Sequence, residues 1–493
     1  MKSRLAIAAL LVAFCTSTVR AQSTLPDLGD ISSAALSDSQ ERTIGNRIMR
    51  EVRTDPAFLD DPEVTDYITS VGQRLLSVAD NPPHDITFFM VQDDSINAFA
   101  MVGGHVFIHT GLLLLTQDES ELAGVMAHEL SHVLQRHQAR MIRDASRGQW
   151  TSLAALALAL LASRSGSSQS GQVTEAALAG ATAFNIQNQI DYTREHEREA
   201  DRVGFSLLEK AGYDPRGMAN FFERMQRANR VNEQQKGATP SYLRTHPMTT
   251  ERIADMQDRL EKMEPRIVAP DSFEYRIAKA RLRAAAGSFT EAVTFFRTAL
   301  EDQTVLRPRE NVYGLALAQR RAHDLDGAWK TLQPIRVSGR THPAFEVLAG
   351  EILGDMHKTD ESIALYRTAL KTWPGYRALA YAYLDELLQT GHTKEAIADL
   401  DERLRSRPDD WRLYDLQARA FEASNQALSQ HRAQAESYYR RGNLAAAVDQ
   451  LEIAVKFRKG SDFYEMSIAE SRLRDLRSQL EIERAAEKAL KIS

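Results

Sequence analysis

The chain has 493 residues, 43% hydrophobic and 26% charged, with one cysteine and a formal net charge of −6. At about 150 residues per domain this length holds two to four domains, and the apolar fraction fills real cores, which excludes wholesale disorder. A single cysteine excludes a disulfide framework or a cysteine-rich zinc module, the acidic balance gives no footprint for nucleic acid, and no apolar run reaches the roughly 18–20 residues that span a bilayer.

The N-terminus, MKSRLAIAALLVAFCTSTVRAQ, has Lys2 and Arg4, an apolar stretch from Leu5 to Phe14, and Val19-Arg20-Ala21. This order predicts a secretory signal over residues 1–21, cleaved after Ala21. Phe14 before Cys15 argues against a lipoprotein signal, so the mature chain would carry no thiol, as suits an oxidising compartment. Residues 22–40 read as an extension. A helical pattern from Ser39 to Ala79 is broken near Asp55-Pro56 and Asp61-Pro62, and Asn81-Pro82-Pro83 marks a turn. Three strand-like runs follow at 86–91, 96–101 and 105–110, separated by Asp93-Asp94 and Gly103-Gly104 as successive hairpins would be. A long helix is expected over 118–143, entered at Asp118 with Glu121 three residues on. The apolar run at 150–162 is too short to span a membrane; with the Gly/Ser-rich loop at 163–172 it is a candidate lid or docking foot. Helices are expected over 173–210 and 215–230, and Thr245-His246-Pro247 opens another that runs to Leu260. Residues 264–270 read as a linker.

Beyond residue 270 the chain becomes an array of helices. Ala292, Ala328, Ser362, Ala396 and Ala447 occupy one position of a recurring motif and lie 36, 34, 34 and 51 residues apart. A period near 34 is that of tetratricopeptide repeats, helix pairs that must stack to bury their apolar faces. The wide gap predicts an irregular repeat around 411–440. The charged stretch at 462–490 reads as a capping helix. The fold class is therefore mainly α: a helical domain with a small β-sheet, followed by an α-solenoid. Its parts are the signal at 1–21, a first domain at 22–263, the linker at 264–270 and the repeats at 271–493.

The sharpest motif is His128-Glu129-Leu130-Ser131-His132. Two histidines at i and i+4 share one helix face and can hold one metal ion. Glu129 lies beside them, placed to serve as general base toward a water activated by Zn²⁺. Leu122, Val125, Met126, Val133 and Leu134 make the helix mostly buried, where unliganded histidines would be costly. Catalytic zinc usually takes three protein ligands and keeps one position open. The stretch Glu195–Asp201 is the source of the third, and pattern alone does not choose among its carboxylates.

HELSH followed by ExxAD resembles the peptidase family that contains HtpX and the CAAX prenyl proteases. The resemblance implies a zincin-type metallopeptidase domain at 22–263, Glu197 as third zinc ligand, one ion per chain, and Asp201 as the residue that orients a ligand histidine or donates a proton. NAFAMVGG at 97–104, HTGLL at 109–113 and HELSHVLQRH at 128–137 together resemble its soluble, BepA-type periplasmic branch with a C-terminal repeat array, although Val102 stands where that branch commonly has proline. Peptidases of this kind bind substrate along a sheet edge, which makes the backbone of Asn97, Ala98 and Phe99 candidates for substrate contact. The family's His-Pro and later Arg correspond to His246 and Arg252. His246 would either stabilise the oxyanion or fill the open zinc position; Arg252 would bind substrate or pair with a structural acid. His196, Glu195 and Glu199 read as solvated, and His105 and His109 as structural.

The resemblance implies a periplasmic zinc endopeptidase that degrades misfolded or stalled proteins in outer-membrane protein assembly. Its expected partners are unfolded substrates and the β-barrel assembly machinery. The alternative is a chaperone or assembly adaptor that uses the repeats and keeps a latent protease site.

Overall fold

The computed structural model describes residues 37–53, 55–83, 85–144, 183–234, 240–264, 269–301, 308–337, 341–457 and 463–492. The expected secretory signal, the 150–162 helix and the loop after it lie outside these residues. Helix α1 (Asp38–Val52) starts at a capping box formed by Ser37 and Gln40. Helix α2 (Pro62–Leu76) starts at Asp61, whose side chain accepts from the next free amides, with Pro62 where its missing N–H costs nothing. Strand β1 (Phe58–Leu59) lies between them.

The sheet also contains β2 (Thr87–Val91), β3 (Ala98–Met101) and β4 (His105–His109). Its order is β1-β2-β4-β3, with β2 parallel to β4 and the other pairs antiparallel. Only the second of the two expected hairpins forms, at Gly103 and Gly104, whose φ values of +92° and +82° suit glycine. The first fails because Asp93 is tied to the far end of β4. Its N–H donates to Thr110 Oγ1 at 3.1 Å, and its carbonyl accepts from Thr110 Oγ1 at 2.9 Å and the Gly111 N–H at 2.8 Å. The chain is thereby carried past β4, and β3 returns on its outer side as an edge strand.

Helices α3 (Thr110–Leu115), α4 (Glu119–Leu134), α5 (His137–Asp144), α6 (Ala183–Lys210), α7 (Arg216–Gln234), α8 (Ser241–Thr245) and α9 (Thr250–Glu261) follow. The single helix expected over 118–143 is two, because Arg136 takes a left-handed φ of +53° between α4 and α5. His246 does not open a helix either. It ends α8, and α9 begins after Thr249, whose hydroxyl accepts from the Arg252 N–H at 3.3 Å. Helix α4 runs through the middle of the core. Leu122, Val125, Met126 and Leu130 are fully buried with Ile68 and Leu75 of α2, Ile108 of β4 and Phe221 and Phe222 of α7.

Among the described residues the array begins with five helix pairs, from Phe273–Ala285 with Phe289–Glu301 to Trp411–Ala423 with Ala427–Arg440, and continues in the helices Leu444–Ala454 and Phe463–Ile492. Each pair turns at one left-handed residue: Gly287, His323, His357, Gly391 and Asn425, spaced by 36, 34, 34 and 34 residues. The fifth pair is therefore regular, contrary to the sequence expectation. The 51-residue gap arose because Gly442 opens the next turn, half a repeat on. Glycine tolerates this backbone freely, and asparagine and histidine adopt it more often than most residues, so the turn keeps its period where the small-residue motif loses it.

The array clasps the start of α2. Glu63 accepts from Tyr376 Oη at 2.7 Å and Tyr313 Oη at 3.3 Å, Arg281 pairs with Asp61 at 2.6 Å, and Arg377 pairs with Asp66 at 2.6 Å. Tyr275, Ala278 and Leu282 of the first pair share the core of α4.

Candidate metal centre

Asp118 caps α4, accepting from the Glu121 N–H at 2.9 Å, and every residue from Glu119 to Val133 is buried. On this helix the rings of His128 and His132 lie one turn apart with their Nε2 atoms 3.2 Å from each other. Helix α6 brings Glu197 to them. Its Oε2 is 3.3 Å from His128 Nε2, and its Oε1 is 3.4 Å from His132 Nε2. His246, from the α8–α9 turn, places Nδ1 2.9 Å from Glu197 Oε1 and 3.4 Å from His128 Nε2. One atom from each of these four buried residues falls within 4.8 Å of the other three. Tetrahedral zinc with bonds of about 2.0–2.1 Å sets its ligand atoms about 3.4 Å apart. The cluster has the donor types and the spacing of such a site, so the residues fit a metal ion.

The two helices can approach this closely because α6 has Gly204 where it crosses α4. A Cβ there would lie 3.1 Å from the His128 backbone nitrogen and 2.9 Å from Met218 Cε. Gly204→Val should therefore force α6 outward, costing about 1–3 kcal/mol of stability and weakening zinc retention as Glu197 moves away. Thermal melts and chelator competition would show both effects; an unchanged zinc affinity would contradict the crossing argument.

The second layer of contacts is polar and fully buried. His128 Nδ1 is 3.0 Å from Asp201 Oδ1. Arg252 donates from Nε to Asp201 Oδ2 at 2.6 Å, from Nη2 to Oδ1 at 2.7 Å and from Nη1 to the Pro247 carbonyl at 2.9 Å. Its Nη1 also lies 2.9 Å from Glu197 Oε2. Arg252 is therefore turned to structural acids rather than to a substrate, the second of the two roles open to it. Burial would raise the Glu197 and Asp201 carboxyls, but their polar neighbours outweigh it. His246 and Arg252 hold Glu197 well below the usual carboxylate range, and Arg252 and His128 lower Asp201.

Glu129 differs from these acids. Its carboxyl is pushed up by burial, against the pull of His246, His128 and the Tyr242 hydroxyl. His246 Nε2 stands 3.4 Å from its Oε1. A buried carboxylate beside the ligands is what a proton acceptor needs.

The edge strand agrees only in part with the substrate contacts expected for Asn97, Ala98 and Phe99. Successive residues of a strand turn their backbone groups to opposite sides. The Asn97 carbonyl accepts from the His109 N–H at 3.0 Å, so Asn97 and Phe99 face β4. Ala98 faces the open edge, with Ile96 and Ala100 on the same side. The Ile96 carbonyl is taken by the Tyr242 N–H at 3.1 Å, and that of Ala100 by Gln138 Nε2 at 3.4 Å.

Three residues near the site were not singled out in the sequence as part of it. Tyr242 is fully buried, its ring is 4.8 Å from that of His246, and its hydroxyl faces the Glu129 carboxyl. His196 is buried and Glu199 half-buried, although both read as solvated. The only signal was Tyr242 four residues before His246. For His196 and Glu199 there was none, since their meeting with His137, which was expected to pack nearby, depends on the break after α4. His105 and His109 serve the sheet, meeting Thr87 Oγ1 at 2.7 Å and Ser95 Oγ at 2.9 Å.

Residues 62–260 match the model of peptidase family M48. The chain is 36% identical over 439 residues to the beta-barrel assembly-enhancing protease of Escherichia coli (strain K12), with 87% of each chain covered. It is 39% identical over 296 residues to the putative beta-barrel assembly-enhancing protease of Vibrio cholerae, covering 59% of each. Identity to the mitochondrial metalloendopeptidase OMA1 of Schizosaccharomyces pombe is 29% over 210 residues, covering 42% of this chain and 56% of that one.

Proposed function

Because the chain belongs to peptidase family M48 and is a metalloendopeptidase, we propose that it is a zinc enzyme of the periplasm that degrades misfolded or stalled proteins during outer-membrane protein assembly. The observation that carries the chemistry is the convergence of His128, His132, Glu197 and His246 on one point beside the buried carboxyl of Glu129. His128, His132 and Glu197 would hold the ion, oriented by Asp201 and Arg252. Zinc supplies Lewis acidity, which polarises a peptide carbonyl and makes water a nucleophile near neutral pH. Glu129 takes the proton of the attacking water and delivers it to the departing amine. Ala98, on the open side of β3, offers its backbone to an extended substrate. The likeness to the assembly-enhancing proteases supports the β-barrel assembly machinery as a partner and unfolded proteins as clients of the repeats. The division into a signal at 1–21, a peptidase at 22–263, a linker at 264–270 and repeats at 271–493 belongs to the same proposal.

A second reading, an adaptor with a latent protease, has one observation in its favour. His246 Nδ1 lies 2.9 Å from Glu197 Oε1 and 3.4 Å from His128 Nε2, where it would fill the position that a catalytic zinc usually leaves open. Together the two readings describe an enzyme whose resting site is closed by His246. Casein cleavage, with and without a chelator, tests both. His246→Ala should raise the zinc-dependent rate by about tenfold if the closed form holds about nine-tenths of the molecules. A fall in rate would instead assign His246 to the transition state.

A further inference from the structure

We propose that His137 is a positioning residue for the ligand His132, and that Glu199 completes the chain behind it. The inference rests on the reading of His128, His132 and Glu197 as metal ligands. It starts from an asymmetry between the two histidines. His128 has a carboxylate, Asp201, directly at Nδ1. His132 has another imidazole there: its Nδ1 lies 2.9 Å from His137 Nδ1. The far nitrogen of His137 lies 3.1 Å from Glu199 Oε2, and the same oxygen accepts from Arg140 Nη1 at 3.2 Å. The His137 ring is buried and stacked on His196, with centroids 4.1 Å apart and planes 12° from parallel.

This arrangement admits one set of tautomers. His132 needs the lone pair of Nε2 for the ion, so its proton sits on Nδ1 and is donated to His137 Nδ1. His137 then carries its own proton on Nε2 and donates it to Glu199. Each ring nitrogen of the row has one role, and the His132 ring cannot rotate without losing a buried hydrogen bond. A partner at the far nitrogen fixes a ligand's tautomer and orientation and raises its basicity toward metal. Here that effect reaches His132 through an intervening ring.

The backbone explains why the sequence conceals the pair. In a continuous helix, positions five apart lie about 140° apart around the axis, so His137 would face away from His132. The left-handed Arg136 ends α4 and restarts the chain as α5, which turns His137 back toward the site. Arg136 is tied to Glu41 of α1, its Nε donating to Oε1 at 3.0 Å. The N-terminal helix thus anchors the bend that sets His137.

The experiment measures the affinity of the metal-free full chain for Zn²⁺ alone, by competition with a fluorescent chelator. His137→Phe keeps the stacking and loses the hydrogen bond; it should weaken zinc binding by roughly 10–100-fold, the usual loss when such a partner is removed. His137→Asn, whose amide oxygen can accept from His132 Nδ1, should recover much of that loss. Glu199→Gln should weaken binding by less than His137→Phe. Glu197→Gln is the control for the ligand reading. If it leaves affinity unchanged, that reading fails. If it weakens zinc binding severely while His137→Phe stays within about twofold of the parent, the ligands stand and the positioning role is overturned. Equal losses in His137→Phe and His137→Asn, matched by equal losses of metal-free thermal stability, would also overturn it. Should His137→Phe not fold, an unweakened Glu199→Gln or His137→Asn below Glu197→Gln in affinity would do so.

Discussion

Glu129→Gln should lower the rate of casein cleavage by about 10²–10⁴-fold while the protein keeps its zinc. Glutamine fills the same volume and reaches the same place, but it cannot take a proton from water. Zinc retention follows from the geometry, since the converging atoms belong to His128, His132, Glu197 and His246, and Glu129 is not among them. The loss should appear in kcat, because the general base acts in the transition state rather than in substrate binding. Metal analysis beside the assay separates this result from simple collapse of the site. If the variant cleaves casein within a factor of a few of the parent, the proton passes through another group, and Tyr242 and His246 become the nearest candidates. If it is inactive but fully restores outer-membrane protein assembly in cells lacking the gene, the adaptor reading prevails.

Arg252→Met should destabilise the peptidase part by about 3–5 kcal/mol, the cost of leaving buried charges without their partner. For a unit of this size that lowers the melting temperature by roughly 6–20 °C. Arg252 is 2% exposed, and its guanidinium meets Asp201 on one edge and Glu197 and the Pro247 carbonyl on the other. Methionine matches much of its length and packs against Phe222, so the loss measures charge rather than a cavity. The measurement belongs in chelator, since a bound ion would stabilise the folded state and hide part of the effect. Asp201→Asn added to Arg252→Met should restore part of the stability, because one stranded carboxylate becomes neutral, but should not restore zinc affinity, because His128 loses its orienting acid. A melting point within about 2 °C of the parent would show that these acids are neutralised by something other than Arg252.

The two variants test different layers of the same site, and those layers were legible to different degrees. HELSH announces itself because one helical turn fixes the spacing of two histidines and the glutamate beside them, whatever surrounds it. Glu197 needed the family resemblance, since nothing local distinguishes it from Glu195 or Glu199. The side of the helix that faces α4 decides among them, and that choice is made by the Gly204 crossing. Arg252 was legible as a charged residue near the site, but its task was not, because the two carboxylates that claim it come from another helix.

The sequence by itself determined the parts whose rules are local. These are the α4 cap at Asp118, the strands, the Gly103-Gly104 hairpin, the 34-residue period of the array and the metal-binding pair on α4. The tertiary structure alone decided what depends on one backbone segment meeting another. Asp93 binding at the end of β4 converted an expected hairpin into a crossover and put β3 at the edge. The bend at Arg136 brought His137 behind His132, and the α8–α9 turn brought His246 beside Glu197 and His128. Periodicity and capping act over a turn or two of chain and leave a pattern in the residues. Contacts made between His128 and His246, 118 positions apart, leave none.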